Sequence, residues 1–268
     1  MRRPSALAFP LAPMFDGLSR DGSSSLHVTL VPPSLILVHG ALGSAQQLAP
    51  LADALRTLLD TGVVVLELPG HGETPAADSE FRMAAFAACL TARADAVREA
   101  DGAGPLVFGY SMGGYAALLA EATTPGTFGG ILTYGTMFAW TPDVAASAAA
   151  RLDATVMAAK VPSFAEVLRQ RHAGAGGWER MLSRTASLLR ALGDAPPLTP
   201  AVLGQVRCPV QLLVGERDDT VTWEQTAAIA AALPKGTASP VPGAPHPIEK
   251  VPVSALALAL TELRQAVA

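Results

Sequence analysis

The segment Leu106-Val107-Phe108-Gly109-Tyr110-Ser111-Met112-Gly113-Gly114-Tyr115-Ala116-Ala117-Leu118-Leu119 decides the reading of this chain. An apolar run of strand length meets Gly109-x-Ser111-x-Gly113 and passes at once into a pattern rich in Ala and Leu that suits a helix. A serine between strand and helix, flanked by small residues, is the context of a nucleophile elbow. The small residues are needed because the tight turn brings backbone segments very close together. The turn pushes the hydroxyl out at the head of the helix, where N–H groups and the helix dipole favour developing negative charge.

The same rhythm recurs on either side of this segment. Leu26 to Val31 and Ser34 to Val38 read as strands, and Leu48, Leu51, Leu55 and Leu58 fall on one face of a helix. A strand at Val63 to Leu68, a Gly/Pro-rich loop, a helix from about Ser79 to Ala100, the elbow strand and helix, and a strand at Gly130 to Tyr134 follow. Apolar runs without alternation are strands buried on both faces, and β alternating with α calls for a doubly wound, mostly parallel sheet. From Phe138 to Val206 only helical patterns occur, at Val144 to Ala158, Phe164 to Gln170 and Trp178 to Leu192. The rhythm resumes with a strand at Val210 to Gly215, a helix from Trp223 capped by Thr222, a short strand near Ala238 to Val241 and a helix over Pro252 to Val267. The expected organisation is a core of residues 1–137 and 207–268, with 138–206 an all-helical cap over the carboxyl ends of the strands, where open α/β folds bind ligands.

A serine hydroxyl requires a base and a group that orients it. Five histidines are present. His27 lies in an early strand and His172 in the cap, neither within a motif; His39 and His71 sit beside glycines in turns, where structural hydrogen bonding is expected. His246 follows the last strand in Pro242-Gly243-Ala244-Pro245-His246-Pro247 and so shares the carboxyl edge with Ser111. For the carboxylate, Glu216-Arg217-Asp218-Asp219 follows another strand; Asp218 is preferred, with Asp219 and Glu216 as competitors. Met112 supplies one oxyanion N–H, and Ala41 in His39-Gly40-Ala41-Leu42-Gly43 is the natural second donor.

Together with Leu68-Pro69-Gly70-His71-Gly72, these segments make the chain resemble the α/β-hydrolase superfamily over nearly its whole length from about Leu35. The resemblance implies a triad of Ser111, Asp218 and His246, an oxyanion hole of Ala41 and Met112, and a cap inserted after the sixth strand. It departs from the usual pattern at Glu67, where Asp commonly precedes Leu-Pro-Gly-His-Gly, and at Pro245, where Gly is common. A serine nucleophile argues against the aspartate-nucleophile dehalogenase and epoxide-hydrolase branches. The expected activity is that of a carboxylesterase working through an acyl-enzyme on small to medium esters. Leu42, Met137, Phe138, Trp140 and Val221 are the expected apolar pocket residues, and no cofactor or metal is required. The elbow is also similar to that of the lyase of menaquinone biosynthesis, which acts on an anionic substrate. Seven Lys or Arg against five acids between 138 and 206, Arg169 and Arg171 among them, lean weakly that way. A ligand-binding receptor with vestigial turnover is the third reading.

Composition agrees with a buried sheet. The chain has 268 residues, 50% hydrophobic and 16% charged, with a mean hydropathy of +0.34. Such a chain buries enough apolar surface to fold. Residues 22–52 and the stretch between Asp101 and Asp143 are nearly free of charge, yet Pro and Gly break both, so no membrane span is expected. Met1-Arg2-Arg3 and the apolar residues after it have the outline of a secretory signal, which Pro10, Pro13 and Asp16 argue against. Cys89 and Cys208 lack disulfide or metal spacing and fit a reducing, cytoplasmic setting. A net charge of -4 argues against nucleic acid as a partner. A small-molecule ester substrate and a monomer or homodimer are expected.

Overall fold

Short apolar runs without alternation build the sheet, as strands covered on both faces require. In a computed structural model that describes residues 34–267, β1 (Leu35–Val38), β3 (Leu106–Tyr110) and β4 (Gly130–Tyr134) are buried at every position. β2 (Val63–Leu66) is partly covered, as an edge strand should be. With β5 (Val210–Arg217) and β6 (Gly236–Pro245) they form one six-stranded sheet in the order β2-β1-β3-β4-β5-β6, parallel throughout. The expected strand at 26–31, the signal-like N-terminus and His27 lie outside the described residues.

Helices cover both faces. α1 (Ala45–Leu59) and α10 (Val253–Val267) pack Leu48, Leu51, Leu55, Leu256, Leu260 and Leu263 against one face. α2 (Met83–Asp101) and α3 (Met112–Thr123) cover the other, joined there by residues of α9 (Trp223–Ala232) such as Ala230. Leu58, expected on the buried face of α1, is instead 59% exposed in the last turn. The single charge in the apolar 102–142 stretch, Glu121, is fully buried. Its carboxylate accepts the N–H groups of the exposed Gly126 (2.9 Å) and the buried Phe128 (3.1 Å), so the Phe128 donor is not left unpaired in the interior.

Between β4 and β5 the chain is helical: α4 (Pro142–Ala150), α5 (Ala154–Lys160), α6 (Pro162–Arg171), α7 (Trp178–Asp194) and α8 (Pro200–Leu203). The single helix expected over 144–158 is two. Asp153 caps α5 by accepting the Val156 N–H at 2.8 Å, and that competing bond starts a new helix where the Ala-rich pattern alone runs on. The insertion follows the fourth described strand; counting it after a sixth depends on residues before 34. β6 is longer than expected because its register against β5 shifts between Gly215 and Arg217, which lets the strand continue to Pro245.

No helix among the described residues is long and apolar enough to cross a membrane. Cys89 and Cys208 are both unpaired, and burial pushes both thiols up, which disfavours the thiolate form.

Candidate active site

The strand order reverses between β1 and β3, so the connections leaving their carboxyl ends diverge and open a crevice. His39 to Gly43 leaves β1 at this point, and Ser111 follows β3 directly. Because all strands run parallel, Gly135 after β4, Asp218 after β5 and His246 after β6 reach the same edge.

Ser111 has φ 51° and ψ −116°, a left-handed backbone that only a few non-glycine residues adopt. The strain is held by its surroundings. Its N–H donates to the Tyr134 carbonyl at 2.8 Å, and its own carbonyl accepts the Thr136 hydroxyl at 3.0 Å. The glycines around it are steric necessities. A Cβ on Gly109 would lie 2.4 Å from the Gly114 backbone, and one on Gly113 would lie 2.6 Å from the Val38 and His39 carbonyls.

The His246 Nδ1–H donates to Asp218 Oδ2 at 2.8 Å, with the Asp218 side chain fully buried and His246 17% exposed. Asp218 Oδ1 accepts two further bonds, from the N–H groups of Thr220 (2.8 Å) and Val221 (2.9 Å). Burial alone would raise the Asp218 pKa; the imidazole and the two amides outweigh it and hold the carboxyl below its ordinary value. The competitors lie elsewhere: Glu216 accepts the Gly243 N–H, and Asp219 accepts the Thr220 hydroxyl. The Tyr110 ring, on the residue before Ser111, lies 5.6 Å from the His246 ring and joins the two halves of the site. Tyr134 donates its hydroxyl to the Pro245 carbonyl at 2.5 Å, anchoring the residue before His246.

The loop after β1 lies against the serine: a Cβ on Gly40 would be 3.1 Å from the Ser111 Cβ. Gly43 N–H closes a turn onto the Gly40 carbonyl at 3.1 Å, with Ala41 and Leu42 at its corners. Met112 opens α3 beside them. Leu42, Phe138 and Trp140 are partly buried against the large core cluster, and the Phe138 ring stacks 6.0 Å from Tyr115. Met137 is partly buried and its carbonyl accepts the Trp140 indole N–H. Val221 is buried, with its N–H on Asp218.

This strand-elbow-helix geometry on a doubly wound sheet agrees with the comparison by sequence profile, in which residues 35–257 match the alpha/beta hydrolase family. The chain belongs to the alpha/beta hydrolase family. A search of curated proteins finds no match to it. Among solved structures, NosK from Streptomyces actuosus superposes with a TM-score of 0.71 at 24% identity, over 88% of this chain and 99% of that one. A thermophilic esterase from Thermogutta terrifontis gives 0.62 at 23% identity over 88% and 90%. MenH from S. aureus gives 0.65 at 18% identity over 88% and 95%. At these identities the likeness is one of fold.

Among the other residues around this edge, the long-range contacts of His172 gave no signal in the sequence. The remaining described histidines are all fully buried. His39 donates to the Gly40 carbonyl through Nδ1 (2.9 Å) and accepts the Leu68 N–H through Nε2 (3.1 Å). His71 packs between His39, Phe81 and His172, and burial, reinforced by the neighbouring histidines, holds its pKa well below the ordinary value. His172 accepts the Gly72 N–H and donates to the Leu42 carbonyl. Glu67 accepts the Ala45 N–H at the head of α1, 2.9 Å away. Among the described residues no group of His, Cys, Asp or Glu could hold a metal ion.

Proposed function

We propose that the protein is a serine hydrolase of carboxylic esters, with Ser111 as nucleophile, His246 as general base and Asp218 as its orienting partner. One observation carries this reading: the His246–Asp218 pair at 2.8 Å shares a sheet edge with the strained Ser111 elbow. Asp218 occupies Nδ1, so Nε2 is the lone pair left for the serine proton. Ser111 Oγ attacks the ester carbonyl as its proton moves to Nε2. The oxyanion receives the Ala41 and Met112 N–H groups, and the intermediate collapses as His246 protonates the departing alcohol. Water then repeats the sequence on the acyl-enzyme, returning the acid and free Ser111. Leu42, Met137, Phe138, Trp140 and Val221 supply the apolar surroundings expected of an acyl pocket. Residues 138–206 act as a cap over this edge: α6 and α7 already touch the loops that leave β1 and β2.

The test is a series of p-nitrophenyl esters of increasing acyl length, assayed on the wild type and on Ser111→Ala. Turnover of short to medium chains that vanishes in Ser111→Ala supports the reading; turnover retained in Ser111→Ala overturns the nucleophile. A second reading, a lyase of the menaquinone-biosynthesis type using the same three residues, has one observation in its favour. Among the described residues Arg171 has no carboxylate partner at ion-pair distance, whereas Arg169 is paired with Glu166. A serine labelled by a fluorophosphonate but inactive on every ester would favour it.

A further inference from the structure

Ala41 and Leu42 form the corners of the turn from Gly40 to Gly43, and Leu42 has φ 59°. Positive φ at the third residue of a turn is a position that type II turns give to glycine. A leucine there costs roughly 1 kcal/mol or more and persists only where neighbours over-determine it. Two such neighbours come from one place. At the end of α6, Arg171 Nη1 donates to the Leu42 carbonyl at 2.9 Å and His172 Nε2–H donates to the same oxygen at 3.1 Å. The Leu42 side chain meanwhile packs against Met157, Ala165, Leu168, Trp178 and Leu182, a cluster built by the insertion.

The His172 ring is committed at both nitrogens. Nδ1 accepts the Gly72 N–H at 3.0 Å, which fixes the tautomer that puts hydrogen on Nε2. The ring is fully buried, and burial pushes its pKa down to about 4, so it stays neutral and keeps both bonds. One residue of the insertion therefore ties together the loops that leave β1 and β2. On the other side of the turn, Gly40 lies so close to Ser111 that an added Cβ would be 3.1 Å from the serine Cβ.

We propose that Arg171 and His172 are positioning residues, which through the Leu42 carbonyl hold the turn that presents the Ala41 N–H to the acyl oxygen. The strength of the oxyanion contact is then set by where α6 sits, and movement of the insertion is felt directly in catalysis. This rests on the ester-hydrolase reading, because it requires Ala41 to be an oxyanion donor. A donor displaced by about 1 Å costs about a hundredfold in rate, which sets the scale of the effect.

The experiment compares Arg171→Met, Arg171→Lys, His172→Phe and His172→Gln with wild type, Gln170→Ala and Ser111→Ala. It reads kcat and KM on p-nitrophenyl butyrate, the rate of fluorophosphonate labelling, and Tm. The expected result is a kcat about ten- to a hundredfold lower in Arg171→Met and His172→Phe, with KM within about threefold and labelling slowed in step. Arg171→Lys and His172→Gln, which each keep a donor, recover part of the loss, and Gln170→Ala behaves as wild type. Arg171 is only partly buried, whereas His172 is fully so, and its variants remain informative if those at His172 fail to fold. A folded Arg171→Met with wild-type kcat and labelling overturns the clamp while leaving the triad standing, and so does a loss that follows Tm alone. Wild-type turnover in Ser111→Ala removes the hydrolase reading and the clamp with it.

Discussion

Gly135 follows β4 and lies between the strand that carries Ser111 and the two that carry Asp218 and His246. With neighbouring strands about 4.8 Å apart, an imidazole from β6 meets a serine on β3 only by passing over the end of β4. A Cβ at 135 would lie 3.0 Å from His246 Cε1 and Nδ1 and 3.2 Å from Asp218 Oδ2, and φ there is +61°. Gly135→Ala is therefore expected to cost ~1–2 kcal/mol of stability through the backbone and to lower kcat/KM about a hundredfold by moving the base. Steady-state kinetics alongside urea unfolding separate the two effects. Wild-type kinetics in this variant would mean that the pair over β4 does not serve Ser111.

At the scale of elements, legibility follows how local each determinant is. The central strands were readable because each is a short apolar run bounded by Gly or Pro, and the elbow because all its constraints lie between Gly109 and Gly114. The insertion was readable as helix but not in its breaks. Asp153 interrupts a pattern whose apolar period continues through it, and only its side-chain bond to Val156 N–H reveals the new start. Asp153→Ala should lower the unfolding free energy by ~1 kcal/mol, the usual worth of an N-cap, in a urea titration. An unchanged midpoint would mean that α4 and α5 act as one helix. His172 was opaque for the opposite reason. Its partners Leu42 and Gly72 are 130 and 100 residues away, and no spacing within one segment encodes them.

For the molecule as a whole, the buried histidines make stability depend on pH. His71 and His172 are held neutral in the fold, His172 with its pKa near 4, whereas in the unfolded chain each titrates near 6.5. As pH falls through about 6.5 the unfolded state binds protons that the folded state refuses, so stability declines toward acid. Asp218, with a lowered pKa, adds to that loss only at lower pH still. The urea midpoint should fall between pH 7 and pH 5, and His172→Gln should flatten the fall; a midpoint independent of pH in wild type would contradict buried neutral rings.

In the proposed mechanism one serine, activated by His246 at the edge of a doubly wound sheet, carries the chemistry. Fluorophosphonate labelling followed by peptide mapping tests it most directly. The expected result is a single phosphonate adduct, on the peptide that contains Ser111, formed far more slowly in His246→Ala. No adduct, an adduct on another residue, or labelling indifferent to His246 would contradict it.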